Sequence, residues 1–369
     1  MRAAAFSLLF LTAVAAPSAA RQAPAAPPKP KVLRVPAQFA SVQAAIDTAR
    51  PGDTVLVAPG RYYENLQLRG RNLVLTSEYA LRGDRGLIGR TILDGSRPRA
   101  ADTASVLIID GGEDSTTVIQ GFTITGGNGT RWLDPRHKLW YREGGGILCE
   151  FSSPIIQHNV IEGNAATSME DSVASAGGGG IRCGFGEPTI RYNVIRNNRG
   201  RYGAGMTLFH AAARVQHNLI TGNTGGEDFG GSGIWAIGSL SRLATHLIEH
   251  NTIAGNVSTA ADSTGPRGLG GRGGGLVLIA TPTIVRRNII WGNRQVEAQV
   301  AVAPRGTPTF EHNVVEGGLR FVDGRTVPST GTLEQSPEFG DAVTYQPSPR
   351  SAAAKLGAYG GEGAPARLP

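Results

Sequence analysis

The chain has 369 residues, 52 of them glycine, about twice the usual share, and 36 Lys and Arg stand against 29 Asp and Glu for a formal charge of +7. The glycines follow no three-residue period, which excludes collagen, and a 40% hydrophobic content excludes a disordered chain. Two cysteines in this length exclude a small disulfide-stapled scaffold.

Residues 1–20 carry Arg2, an apolar stretch from Ala3 to Ala16 and a small-residue ending at Ser18, Ala19 and Ala20. This pattern predicts a secretory signal peptide cleaved after Ala20. The apolar stretch is short for a bilayer, and no later run reaches the roughly 18 apolar residues of a membrane helix. The expectation is therefore an exported protein, secreted, periplasmic or at the cell surface, with no transmembrane segment. Residues 21–31 are an Ala- and Pro-rich leader. Next, Val42, Ala45, Ile46 and Ala49 share one face of a short helix with Ser41 as N-cap. A turn at Asp53 then feeds a strand from Thr54 to Ala58.

From there a repeat organises the chain. Asn159, Asn193, Asn218, Asn251, Asn288 and Asn313 each follow a short β-branched or apolar segment, at spacings of 34, 25, 33, 37 and 25 residues. A second asparagine follows five residues later in every copy but the last, and Phe122 holds the anchor position of an earlier, degenerate copy. Glycine groups precede Ile147, Ile181, Met206, Ile234 and Leu276. Three short strands per repeat with a minimum period of 25 residues match one turn of a parallel β-helix, each coil about 4.8 Å above the last. The inward set is Ile156, Ile190, Val215, Ile248, Val285 and Phe310 on the second strand, and Ile161, Ile195, Ile220, Ile253, Ile290 and Val315 on the third. The anchor asparagines are read as a structural ladder.

His158, His217, His250 and His312 immediately precede anchors, and their parallel column suits a polar turn stack better than a convergent metal site. Cys149 and Cys183 hold equivalent inward positions on consecutive coils, and both a disulfide and two buried thiols fit that spacing.

The opening segment from Val42 through Pro51, Gly52 and Asp53 to Pro59, Gly60, Tyr62, Glu64 and Asn65, together with the repeat, resembles right-handed parallel β-helix proteins of the pectin lyase-like superfamily. The resemblance covers about residues 32–320. It implies an all-β, single-stranded parallel β-helix with an N-terminal capping helix. The segments Ser336 to Phe339, Ser348-Pro349 and Leu356 to Tyr359 resemble the closing tail of such proteins, here residues 321–369, and depart from it at Arg350 to Ala354. The group contains lyases, hydrolases, esterases and proteins without known chemistry. The paired-aspartate and Gly-His-Gly signature of polygalacturonases is missing, as are the pectinesterase motifs. No calcium-ligand set of the pectate lyase kind aligns, so no cofactor or metal is assigned.

In sugar-active members of this group the groove beside the first strand, roofed by the loops that precede it, holds the substrate. Carried to this sequence, the substrate-binding candidates are Trp132, Arg136, Lys138, Trp140, Tyr141 and Arg142 in one loop, Arg182, Phe209 and Trp235 on the strands, and Arg272. Aromatic faces stack on sugar rings, and guanidinium groups pair with uronates. A glycosidase needs two carboxylates about 5–10 Å apart. Glu143, Glu150, Glu170, Asp171, Glu227 and Asp228 supply candidates, while Arg142, Arg201, Tyr202 and His210 could serve a lyase. None has a diagnostic spacing. Only Lys29, Lys31, Lys138 and Lys355 are lysines, which leaves 32 arginines among the 36 basic residues. With no nucleic-acid module present, the expected partner is a polysaccharide, anionic if the charge matters, and the expected state a monomer. Three readings stand: a glycan-binding β-helix, a polysaccharide lyase or glycoside hydrolase with a non-standard site, and a purely structural cell-surface β-helix.

Overall fold

The computed structural model describes residues 29–134, 138–170, 173–238, 245–259, 273–280, 282–294, 298–303, 308–321, 325–361 and 368–369. The signal peptide and most of the leader lie outside the described residues. Each coil contributes three short strands, and stacking the coils produces parallel sheets of nine, ten and nine strands. We term these the first, second and third sheets, in the order the chain meets them after a glycine group. One coil shows the plan, with Ile147–Glu150 in the first sheet, Ile155–Gln157 in the second and Val160–Glu162 in the third. The parallel crossovers wind a right-handed coil.

Alternation within each strand sends every second side chain inward, and identical register carries that choice from coil to coil. Thus Ile156 pairs with Ile190, and Val215, Ile248, Val285 and Phe310 follow in the same file. Ile161, Ile195, Ile220, Ile253, Ile290 and Val315 form a second file and Ile147, Ile181, Met206, Ile234, Leu276 and Val300 a third. All belong to one buried core that runs the length of the stack. Both ends are closed. At the start, the helix Val42–Thr48 buries Val42, Ala45 and Ile46, and the Ser41 hydroxyl accepts the Ala44 N–H. At the end, Thr330 and Leu333 bond to the backbones of Phe310 and Asn313, and Val327 enters the core. The tail then runs back beside the third sheet, where the Ala358 N–H donates to Thr252 Oγ1 at 3.0 Å.

The turn between the second and third sheets has a fixed chemistry. The residue before each anchor asparagine lies in the left-handed region, with φ of 53° at His158, 57° at Tyr192, 53° at His217 and 52° at His250. Their rings stack in a file, 5.1 Å between His158 and Tyr192, 5.2 Å between Tyr192 and His217, and 4.9 Å between His217 and His250. Burial lowers the His158 and His250 pKa values to about 4, so both rings are neutral at pH 7.

Asparagine then closes the turn. Asn218 Oδ1 accepts the Asn193 N–H, while its amide donates to the Ile190 carbonyl and to Asn251 Oδ1. The same pattern runs from Asn159 to Asn313, and the second asparagines make a parallel ladder from Asn164 to Asn293. Beyond Asn293 that ladder is completed by Gln299, whose Oε1 accepts the Asn293 N–H. The glycine groups sit opposite this second ladder. Gly178 has φ of 63°, and a Cβ on Gly180 would stand 2.5 Å from the carbonyl oxygen of Gly205 on the next coil.

Cys149 and Cys183 are register partners in the first sheet and stand as free, buried thiols. The hydrogen bond with Cys183, together with burial, pushes the Cys149 thiol well above its ordinary pKa. A thiol reagent should titrate neither cysteine in the native protein and both in denaturant. Finding no titratable thiol in denaturant would mean that a disulfide forms after all. Asn218→Ala should lower stability by about 2–4 kcal/mol in urea denaturation, because it leaves the Asn193 N–H buried without a partner and removes the amide's bonds to the Ile190 carbonyl and Asn251 Oδ1. The control Glu170→Ala, at an exposed position, should stay within about 0.5 kcal/mol. A loss at Asn218 no larger than the control's would mean that the ladder amide is dispensable.

Candidate functional site

The segment expected as a loop over the first sheet is a β-hairpin. Strand Gly129–Leu133 pairs antiparallel with Trp140–Glu143, and the hairpin is flanked by Thr103–Ala104 and Ser175–Gly177. It roofs the outward face of the first sheet and turns the middle of the groove into interior. Arg182 points outward from its strand, yet it is fully buried and ion-paired with both Glu143 and Glu150. The Trp132 ring lies 4.1 Å from its guanidinium carbon, and the Trp132 indole N–H donates to Glu143 Oε2 at 2.7 Å. Burial pushes the Glu143 pKa up, against the pull of Arg182, and pushes that of Arg182 down.

Several expected contact residues are thereby placed away from solvent. Arg142 is buried and donates to the carbonyls of Ala101 and Gly129 and to Asp102. Phe209 and Trp235 pack with Tyr202 and Val277 in a satellite core, and Tyr202 meets Trp235 edge-on at 5.1 Å. The expectation that Arg182, Phe209 and Trp235 line an open groove fails because it followed strand parity alone. Parity identifies the outward side and says nothing of what covers it.

Of the carboxylates, Asp228 is held by Arg201 at 2.5 and 2.9 Å and by the Ser175 hydroxyl at 2.5 Å. Glu227 is half-buried beside it, and Glu170 is exposed. Glu143 and Glu150, at 1% and 4% exposure, are brought together by sharing Arg182. Trp140 is 39% exposed, with the Arg131 guanidinium 4.3 Å from its ring, Lys138 is exposed, and the half-buried Tyr141 stacks on Trp132. Arg136, Asp171 and Arg272 lie outside the described residues. Among the described residues no three or more His, Cys, Asp and Glu side chains gather as a metal site.

The groove is open at its first coil, where sequence reasoning named no site candidate. Here a cavity of ≈ 200 Å³ is lined by Gln43, Tyr63, Gln67, Arg69, Arg97 and Arg99, among others. Tyr63 is 44% exposed, and the Arg97 guanidinium stands 3.7 Å from its ring centre. Two acids, Glu64 in the cavity lining and Asp47 beside it, are already engaged. The Glu64 carboxylate accepts the Val42 and Gln43 N–H groups at the start of the capping helix, at 2.8 and 2.9 Å, and Asp47 holds Arg69 at 3.0 Å. Arg97 and Arg99 are exposed and sit in the loop before strand Leu107–Ile109 of the first sheet. That is the position from which loops roof the groove in later coils, so extending the loop rule back to this coil would have found them.

The strand register and the two ladders define the class, a right-handed parallel β-helix with a largely roofed first-sheet groove. The chain belongs to the family described as "protein of unknown function (DUF1565)", whose model matches residues 36–277. A search of curated proteins finds no match. Among solved structures, a pectin methylesterase in complex with a hexasaccharide is similar at 8% identity and a TM-score of 0.35, over 85% of this chain and 91% of that one. An alginate lyase from Paenibacillus sp. strain FPU-7 is similar at 12% identity and a TM-score of 0.34, over 83% of this chain and 98% of that one. At these values neither likeness carries an argument about activity, and the fold rests on the strand pairing itself.

The buried triad gives a direct test. Arg182→Met should destabilise the protein by about 3–5 kcal/mol, since it leaves two carboxylates buried without a counter-ion. Adding Glu143→Gln and Glu150→Gln to that variant should recover part of the loss. If Arg182→Met alone unfolds at the wild-type denaturant midpoint, the triad is not a buried ion cluster.

Proposed function

We propose that the protein is an exported β-helix that binds an acidic polysaccharide without cleaving it, in the first-coil groove. One observation carries this reading: an exposed tyrosine capped by Arg97 and flanked by Arg99, with Glu64 already bound to backbone N–H groups and Asp47 to Arg69. A tyrosine face offers stacking area to a pyranose ring, and a guanidinium offers a planar fork to a uronate carboxylate. Gln43 is held in place by reciprocal bonds with the backbone of Gln67, at 3.0 and 2.8 Å, so this end of the groove is rigid before a ligand arrives. Export is supported by Arg2, the apolar stretch after it and the small residues ending at Ala20.

The lyase or hydrolase reading draws on Glu143, Glu150, Glu170, Asp171, Glu227 and Asp228 with Arg201 and Tyr202, and of these Glu143 and Glu150 share one buried arginine. A pair of carboxylates neutralised by one arginine under a hairpin has no route to a glycosidic oxygen among the described residues, which favours binding over cleavage. The purified protein should retain polygalacturonate or alginate in affinity electrophoresis and migrate normally through neutral dextran. Tyr63→Ala with Arg97→Ala and Arg99→Ala should weaken retention at least tenfold with an unchanged melting temperature. Equal retention by the triple variant would remove this site, and release of unsaturated or reducing ends from either polymer would establish an enzyme.

A further inference from the structure

A second cationic cavity lies on a different face, where the returning tail crosses the turn between the second and third sheets. It measures ≈ 460 Å³, and its lining includes His250, Arg287, His312, Lys355 and Gly361. A neighbouring cavity of ≈ 270 Å³ shares His250 and Arg287 and adds Arg191, Glu249 and Arg286. Glu249 is the one carboxylate lining either cavity among the described residues, and it is bound by Arg286 and Gln216, at 2.6 Å each. No ion pair engages Arg287 or Lys355 among the described residues.

The cavity is built by the fold. The Gly357 N–H donates to the Arg287 carbonyl at 2.9 Å and fixes the tail against that turn. A Cβ on Gly361 would stand 2.3 Å from His250 Cε1, so this wall needs glycine to approach the ring. His250 is 6% exposed, and its Nδ1 is buried with no hydrogen-bond partner. Arg287 and Lys355, both exposed, line this cavity with no acid in its lining among the described residues, at a wall the tail completes, and so form a place where an anion lowers the electrostatic energy of the folded chain.

We propose that this cavity binds a small molecule bearing a tetrahedral oxyanion, a phosphate or sulfate monoester, with Arg287 and Lys355 supplying the charge and His250 and His312 flanking it. The volume fits a sugar-sized ligand. This site is independent of the polysaccharide groove, with which it shares no lining residue.

The test is calorimetric titration of the full chain with inorganic phosphate, sulfate, glucose 6-phosphate and glucose 6-sulfate, against potassium chloride at matched ionic strength. One saturable site is expected for at least one oxyanion. It should weaken at least tenfold in Arg287→Gln/Lys355→Gln and be unchanged in Tyr63→Ala. Selectivity between the phosphate and sulfate arms identifies the ligand class. Lys355→Gln alone, on the exposed tail, serves if the double variant melts early, and should weaken binding about threefold or more. Heats that follow ionic strength alone, or a folded Lys355→Gln protein that binds as the wild type does, would overturn the proposal.

Discussion

The whole molecule depends on how a buried turn satisfies its own backbone. Every coil of a β-helix must reverse direction at the edge of the core, where peptide groups lose water and gain no strand partner. Asparagine resolves this by offering one acceptor and two donors at the right height, so that Asn193, Asn218 and Asn251 each bond to the next asparagine and to a carbonyl of the preceding coil. Once those turns repeat, the register of three sheets is set, and with it the inward file of isoleucines. The left-handed residue before each anchor belongs to the same device. Histidine and tyrosine accept that conformation here and recover part of its cost by stacking.

With the coil fixed, variation is confined to the loops, and two of them treat arginine in opposite ways. Arg182 is enclosed by a hairpin and neutralised by two glutamates, which makes it part of the scaffold. Arg97 and Arg99 remain in solvent at the first coil, where no such hairpin covers the sheet. The same groove is thus interior over its middle coils and surface at its beginning.

The sequence made the fold legible because its determinants are periodic. Spacing alone identified Asn159 to Asn313 as a ladder, and alternation alone assigned Ile147 and Cys149 to the core. The capping helix could be read from Ser41 and a single apolar face. The site was less legible, because burial of an outward side chain depends on a segment that is not part of the repeat. Nothing in the pattern around Arg182 announces that strands Gly129–Leu133 and Trp140–Glu143 pair over it. Tyr63 was hidden for the opposite reason: it lies inside the segment that carries the family resemblance, where it reads as part of a fold signature. Gln299 likewise completes the second ladder from six residues beyond Asn293, outside the five-residue spacing that defines the repeat.

The returning tail changes what kind of object this solenoid is. A stack of coils is ordinarily a chain of nearest-neighbour contacts, free to fray from either end one unit at a time. Here Ala358 bonds to Thr252, 106 residues earlier, and Ala358 and Leu368 join an outer cluster with Ile88, Val160, Val194 and Leu219, which belong to four different coils. The last residues therefore act as a longitudinal strap. Peeling away the final coil requires releasing contacts made near the middle and the start, so resistance to pulling or proteolysis at the C-terminal end reports on the array as one cooperative body.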